Sequence, residues 1–238
     1  MDTNHPVPVV AIVVAAGSGS RLGADVPKAL VPVAGVPLVV RAIRQLAAGG
    51  VDEVVAVVPA SERDAFAAVL LDAPVPVVWV DGGDERQHSV LNGIAALPDL
   101  PEADAEAQVV LVHDAARAFV PAEVVARVVE AVRGGADAVV PVVPVSDTVR
   151  ELTDAGSTVV DRARLRGVQT PQGFRRGILE DAHVALHETG TSVTDDAAAA
   201  EYIGCEVTLV EGSRDAFKVT EPLDLVVAEA IVARGASA

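Results

Sequence analysis

The chain has 238 residues, 51% of them hydrophobic, and carries a formal net charge of −16 at pH 7. This length suits a single α/β domain with a full hydrophobic core. So acidic a chain is not expected to bind nucleic acid, because proteins that do so present a basic surface to the phosphates.

Short apolar segments rich in β-branched residues alternate with helix-like segments along most of the chain. The predicted strands are VVAIVV, VDEVVAVV, VPVVWV, QVVLV, DAVVPVV and CEVTLV, beginning at residues 9, 51, 75, 108, 137 and 205. Helices are predicted for PLVVRAIRQLAA, SERDAFAAVLLDA, RQHSVLNGIAAL, PAEVVARVVEAV and PLDLVVAEAIVAR, beginning at residues 37, 61, 86, 121 and 222. This alternation indicates an α/β fold with a mostly parallel, doubly wound (Rossmann-like) sheet. The acidic segment DLPEADAE (residues 99–106) is interpreted as a solvated loop.

A glycine-rich segment, AAGSGSRLGADVPKAL (residues 15–30), follows the first predicted strand. Such a turn usually brings backbone N–H groups close to a phosphate. The glycine spacing is one residue too wide for the dinucleotide fingerprint, and Lys28 lacks the glycine and hydroxyl neighbours of a P-loop lysine. Arg21 and Lys28 flank the turn, an arrangement that suits a triphosphate whose charge shifts during phosphoryl transfer.

Basic and polar residues also follow the other predicted strands, where parallel sheets bind their ligands. Asp114 is a candidate Mg²⁺ ligand, and Arg117 a candidate phosphate ligand. The alternatives are a cap on the following turn for Asp114 and a surface ion pair for Arg117. Further candidates after these strands are Gly83, Ser89, Thr148 and Lys218. Lys28 and Lys218 are the only lysines, which favours a specific task for each, such as a point charge on phosphate.

The segment of residues 145–172, VSDTVRELTDAGSTVVDRARLRGVQTPQ, interrupts the alternation of strands and helices. Strand-like pieces on either side of DAG predict a β-hairpin arm, a common means of building a symmetric dimer. The alternative is a long surface loop, which is uncommon inside compact domains. We expect residues 1–238 to form a single nucleotidyltransferase domain with an arm at about residues 145–172.

Other functional classes find little support in the sequence. His183 and His187 lack the glutamate of a zinc protease motif and are interpreted as exposed helix residues. No apolar run approaches the roughly 18 residues of a membrane span, and the N-terminus does not resemble a signal peptide. Cys205 is the single cysteine, so no internal disulfide can form. We therefore expect a cytoplasmic enzyme without membrane contacts.

The ordered motifs resemble those of the 2-C-methyl-D-erythritol 4-phosphate cytidylyltransferase family over essentially the whole chain. They are AAGSGSRLGADVPKAL, DGGDERQHSV, VLVHDAAR, PVSDTV, VDR, QTPQGF, TDDA and FKVTEPLDL. The resemblance implies an Mg²⁺-dependent homodimer that joins CTP to a polyol phosphate with release of pyrophosphate. Ala216 departs from an asparagine of many members, and Ser20 from a basic residue of some, so two polar contacts are not carried over.

The resemblance also implies a role for each candidate residue. Arg21 and Lys28 would stabilise the transition state, and Lys218 and the partner's own copy of Arg162 would position the acceptor. The predicted CTP-binding residues are Ala15, Ala16, Gly17, Gly19, Gly83, Asp84 and Ser89. The predicted acceptor-phosphate residues are Arg117, Thr148, Thr170 and Thr194, and the predicted metal ligand is Asp114.

Two alternative functions stay open at this point. A ribitol 5-phosphate cytidylyltransferase would share the scaffold and differ only in a few side chains around the acceptor. A non-catalytic nucleotide-binding module would share the fold, although mere binding would not require Arg21, Lys28, Asp114 and Lys218 together.

Overall fold

The computed structural model describes residues 7–17, 22–23 and 26–236. Eight strands of this part of the chain form a central sheet. The strands are β1 (Val10–Val14), β2 (Pro32–Val33), β3 (Val36–Pro37), β4 (Glu53–Val58), β5 (Val77–Asp81), β6 (Val109–Asp114), β7 (Ala138–Pro144), β8 (Val149–Thr153), β9 (Gly156–Val160), β10 (Arg166–Val168), β11 (Gln172–Arg175) and β12 (Val207–Glu211). The helices are α1 (Leu38–Ala48), α2 (Arg63–Leu70), α3 (Arg86–Ala95), α4 (Glu102–Ala107), α5 (Ala122–Arg133), α6 (Arg176–Thr189), α7 (Asp196–Tyr202) and α8 (Pro222–Ala236).

The sheet is mostly parallel, as the alternation of strands and helices predicts. Strands β5, β4, β1 and β6 lie side by side and parallel, and β12 is parallel to β7. The short strand β11 lies between β6 and β7 and is antiparallel to both, and β10 also pairs antiparallel with β7. All six predicted strands are confirmed. The register pairs Val14 with both Asp114 and Val57, so the carboxyl ends of β1, β4 and β6 lie side by side.

Alternating side chains of the strands supply the core on both faces of the sheet. Val13 and Leu111 pack on one face with residues of α1 and α5, such as Ile43. Ile12 and Val112 pack on the opposite face, with apolar residues of α3 and α6. Burial on both faces explains why these strands are nearly continuous apolar runs, as is typical of parallel sheets.

Two predictions about local structure are wrong. The acidic segment at residues 99–106 is not simply a loop, because α4 (Glu102–Ala107) lies within it, with two acidic residues in its first turn where they complement the helix dipole. His183 is not exposed: its side chain is buried on α6 beside Leu179, Ala182 and Leu186, because these residues share one helical face. His187 is exposed.

A β-hairpin stands apart from the central sheet within the segment of residues 145–172. Strand β8 pairs antiparallel with β9, from Val149 opposite Val160 to Thr153 opposite Gly156, and this pair is a separate sheet. Strand β10, from the same segment, pairs with β7 and so belongs to the central sheet. Across the described ranges, we find no helix with both the length and the apolar character required to cross a membrane.

Candidate functional site

A cleft of about 520 Å³ lies at the carboxyl edge of the parallel strands. Its lining includes residues from the ends of β1 and β6, from the turn after β5 and from the segment before α8. Nine predicted site residues line it together: Ala15, Ala16, Gly17, Lys28, Gly83, Asp84, Ser89, Asp114 and Lys218. Gly19 and Arg21 lie outside the described residues.

The turn after β5 packs directly onto the glycine-rich loop after β1. A Cβ atom on Gly82 would lie 2.3 Å from the Cβ of Ala16, and one on Gly83 would lie 2.4 Å from the Cβ of His88. The backbone N–H of Gly83 donates to the Oγ of Ser89 at 3.1 Å. Glycine is therefore required by close approach at both positions. The packing fixes one wall of the cleft.

Asp114, the last residue of β6, provides the acidic centre of the cleft. Its Oδ1 accepts from the Nε of Arg86 at 3.3 Å, and its Oδ2 accepts from the Nζ of Lys218 at 2.8 Å. Burial alone would raise the pKa of Asp114, but the charges of Arg86 and Lys218 outweigh it and hold the pKa well below its usual range. The carboxylate is therefore ionised at neutral pH.

Arg86 is a residue of the cleft that sequence reasoning missed. It begins α3, and its Nη2 donates to the Oδ2 of Asp196 at 2.7 Å while its Nε donates to Asp114. Burial would lower the pKa of Arg86, but the charges of Asp196 and Asp114 raise it. The signal was present in the motif DGGDERQHSV, which places an arginine on the first helical turn after a strand end.

The segments that carry Asp114 and Lys218 are held together by several contacts. The backbone N–H of Val219 donates to the carbonyl of Ala116 at 2.9 Å, and Nη1 of Arg117 donates to the carbonyl of Ala216 at 2.9 Å. The rings of Phe119 and Phe217 stack with centroids 6.1 Å apart. Ala216 is buried here, at the position where many family members carry asparagine.

Arg117 and Thr170 lie behind Asp114 and are not part of the cleft lining. The Nη2 of Arg117 donates to the carbonyl of Val168 at 3.3 Å, and burial lowers the pKa of this arginine despite the neighbouring Asp114. The buried Oγ1 of Thr170 accepts from the backbone N–H of Asp114 at 3.0 Å and hydrogen-bonds Nδ1 of His113 at 3.1 Å. Thr170 therefore braces the end of β6, whereas Arg117 joins the segments that contain Val168 and Ala216.

The remaining predicted residues also lie outside the cleft lining. Thr148, Arg162 and Thr194 are exposed. Arg162 belongs to a short 3-10 helix, Arg162–Arg164, that follows the hairpin, and it donates to the carbonyl of Ser146. The structure thus brings together both lysines and six of the predicted CTP-binding residues, whereas the predicted acceptor-phosphate residues do not line the cleft.

The side chains of the cleft that could bind a metal fit a cation that is held mainly by the substrate. Among the described residues, no group of three or more His, Cys, Asp or Glu side chains is placed to hold a metal ion. Asp114 offers one ionised carboxylate at the cleft, and Mg²⁺ is commonly held by one or two carboxylates together with substrate phosphates. Asp114 therefore fits as a single protein ligand for a nucleotide-bound Mg²⁺.

Comparison with known proteins gives the same family along nearly all of the chain. The sequence model of 2-C-methyl-D-erythritol 4-phosphate cytidylyltransferase matches residues 9–234. Proteins of that name from Saccharopolyspora erythraea and Corynebacterium diphtheriae are 51% and 47% identical to this chain, covering 94% of it in each case and 99% and 93% of the relatives.

Solved structures have the same fold. The crystal structure of 2-C-methyl-D-erythritol 4-phosphate cytidylyltransferase from Thermus thermophilus is 37% identical, with a TM-score of 0.74, and the match covers 94% of this chain and 98% of that one. The crystal structure of 4-diphosphocytidyl-2C-methyl-D-erythritol synthase from Anaerococcus prevotii is 25% identical, with a TM-score of 0.81 and coverage of 94% and 96%.

Proposed function

Because the chain belongs to the 2-C-methyl-D-erythritol 4-phosphate cytidylyltransferase family, we propose that it transfers a cytidylyl group from CTP to 2-C-methyl-D-erythritol 4-phosphate. The products are 4-diphosphocytidyl-2-C-methyl-D-erythritol and pyrophosphate, in the non-mevalonate route to isoprenoid precursors. The observation that carries the proposal is that Lys28, Asp114 and Lys218 line the same cleft as six of the predicted CTP-binding residues.

The chemistry of the cleft supports direct transfer between the two substrates. A phosphate oxygen of the acceptor attacks the α-phosphorus of CTP, and the bond from that phosphorus to the bridging oxygen breaks as pyrophosphate leaves. Ser89 and Thr220 line the cleft, but the Oγ of Ser89 accepts from Gly83 and the hydroxyl of Thr220 donates to Asp224. Neither hydroxyl is poised as a nucleophile, which favours catalysis by positioning and electrostatics.

The residues of the cleft divide between the two ends of the nucleotide. The backbone at Ala15, Ala16 and Gly17 lies beside the turn of Gly83 and Asp84, and this wall suits the cytidine. Lys28 lines the same cleft, and we assign it, with Arg21, to the charge that develops on the triphosphate. Lys218 would face the attacking phosphate.

We also propose that Mg²⁺ accompanies CTP. Asp114 would hold the cation together with the phosphates, while Arg86 and Lys218 keep the carboxylate ionised. When bound, Mg²⁺ would neutralise charge on the triphosphate and make the α-phosphorus a better electrophile.

A homodimer would explain the position of Arg162. The hairpin of β8 and β9 exposes apolar side chains, with Leu152 84% and Val159 62% exposed, and such a surface favours a protein partner. Because Arg162 follows this hairpin and does not line its own cleft, we propose that it completes the cleft of a partner subunit. A cytoplasmic location stays a prediction.

Family membership favours methylerythritol phosphate over ribitol phosphate as the acceptor. The matched relatives carry the name of the methylerythritol enzyme across nearly their whole length. The presence of two lysines and an ionised carboxylate in one cleft also disfavours a module that binds nucleotide without turnover.

Product analysis tests the proposed reaction. Protein incubated with CTP, Mg²⁺ and methylerythritol 4-phosphate is expected to form equal amounts of pyrophosphate and a cytidine diphosphate ester, which ³¹P NMR resolves. Asp114→Asn is the matched negative control, because it keeps the side-chain shape and removes the charge. Hydrolysis of CTP to CMP without consumption of the acceptor would contradict the proposal.

A further inference from the structure

A buried pair of polar side chains lies outside the cleft lining and has no part in the mechanism described above. Nε2 of His183, on α6, is 3.1 Å from Oδ1 of Asp196, the first residue of α7. The two side chains are only 2% and 1% exposed. Burying a carboxylate costs free energy, and the hydrogen bonds of such a pair mainly offset that cost. We therefore expect this pair to have a role other than stabilising the fold.

The two carboxylate oxygens of Asp196 have different hydrogen-bond partners. Oδ1 contacts His183, and Oδ2 accepts from Nη2 of Arg86 at 2.7 Å. Burial would raise the pKa of Asp196, but the hydrogen bond from His183 and the charge of Arg86 lower it. An ionised carboxylate only accepts, so Nε2 of His183 is the donor. Nδ1 of His183 is buried, and no described residue hydrogen-bonds it.

Arg86 is held more closely by Asp196 than by Asp114. Its bond to Asp196 is 2.7 Å long, whereas its Nε lies 3.3 Å from Oδ1 of Asp114. Without its contact to Asp196, the guanidinium of Arg86 would be able to form two parallel hydrogen bonds to Asp114. Arginine and carboxylate groups prefer this geometry. Such a fork would occupy Oδ2 of Asp114, the oxygen that Lys218 contacts at 2.8 Å.

We propose that Asp196 and His183 are positioning residues of the transfer site, which hold Arg86 on a single oxygen of Asp114 and leave the other oxygen to Lys218. This inference rests on the proposed function. The motif TDDA, which the resemblance links to acceptor binding through Thr194, thus acts on the cleft through Asp196.

The first test compares two neighbouring substitutions. Asp196→Asn removes the charge that holds Arg86, and kcat is expected to fall about 10- to 100-fold with less than about a threefold change in KM for CTP. Asp195→Asn is the matched control, because Asp195 accepts from the N–H of Ala198 at 2.9 Å and does not contact Arg86. Because Asn caps a helix about as well as Asp, Asp195→Asn is expected to change the melting temperature little and to keep kcat within about twofold.

Two further measurements separate positioning from loss of stability. His183→Gln keeps a donor for Asp196 and should retain more kcat than His183→Leu, which removes it. Arg86→Lys combined with Asp196→Asn should lose no more kcat than the more damaging single variant, because both changes disrupt one contact. Equal kcat in the two His183 variants, or multiplicative losses in the double variant, would overturn the proposal.

The outcomes also distinguish this inference from the function on which it rests. Wild-type protein that forms no product rejects the proposed function, and the inference with it. Active wild-type protein whose Asp196→Asn and Asp195→Asn variants have the same kcat rejects the inference alone.

Discussion

The charge of individual residues sets the chemistry of this cleft. Asp114 stays ionised between Arg86 and Lys218 despite its burial, and Lys28 adds positive charge from the loop after β1. Lys28, Arg86 and Lys218 therefore bring positive charge to the place where an anionic substrate would react, in a chain that is acidic as a whole.

Replacing Lys28 should reveal whether this charge acts in the transition state. We expect Lys28→Ala to lower kcat by at least about 100-fold with a smaller change in CTP affinity, because the proposed contact strengthens as charge develops. The same outcome is expected for Arg21→Ala. Steady-state kinetics and CTP titration measure the two effects. Arg44→Ala, at an exposed position of α1, is the control and should leave turnover unchanged. Unchanged turnover in Lys28→Ala would show that Lys28 has no part in the mechanism.

His113 should make stability depend on pH. Burial lowers its pKa to about 4, below the value of about 6.5 expected in the unfolded chain. Between these values the unfolded chain binds the proton and the native state does not, so stability falls as pH decreases through this window. Urea unfolding at about pH 7 and pH 5 should show a smaller difference for His113→Gln than for wild type. Equal differences would show that His113 does not carry this effect.

The site residues that were predicted correctly from the sequence are those that follow predicted parallel strands. Lys28, Asp114 and Lys218 follow predicted strands, and the carboxyl ends of parallel strands meet at one edge. Arg86, Asp196 and His183 come together only when α3 packs beside α6 and α7, so no local pattern identifies their contact. Arg117 and Thr170 lie at the predicted edge, but their side chains bond to the backbone of Val168 and Asp114 and do not line the cleft.

At the level of elements, periodicity predicted the parallel strands and the helices α1, α2, α3, α5 and α8. Strand β11 was missed because its four residues, QGFR, show no strand pattern, and its place is set by pairing with β6 and β7. Helix α4 was missed because its composition is that of a solvated segment and none of its residues is buried.

The start of α8 offers a test of element stability. Asp224 accepts from the backbone N–H groups of Thr220 and Glu221, at 2.6 and 2.8 Å. Asp224→Ala leaves these donors without their partner and should lower the free energy of unfolding by about 1 kcal/mol. Urea denaturation measures the loss. Glu221→Ala, an exposed position beside it, keeps both bonds and should have little effect, and an equal loss there would contradict the capping role.

For the whole molecule, the proposed dimer places Arg162 and Lys28 of one complete site on different subunits. Each of Arg162→Ala and Lys28→Ala alone is expected to be nearly inactive, with Arg162→Ala impairing the acceptor more than CTP. Randomly mixed dimers of the two should recover about a quarter of wild-type activity, because half are hybrids with one intact site of two. No recovery after confirmed subunit exchange would argue against a shared site.

Release of pyrophosphate with two acceptors offered separately tests the central claim most directly. Purified protein with CTP and Mg²⁺ would receive 2-C-methyl-D-erythritol 4-phosphate or ribitol 5-phosphate. We predict rapid release with the first and a kcat/KM at least about 100-fold lower with the second, because acceptor pockets reject substrates that leave buried polar groups unpaired. Preferential turnover of ribitol 5-phosphate, or release with neither acceptor, would contradict the proposed function.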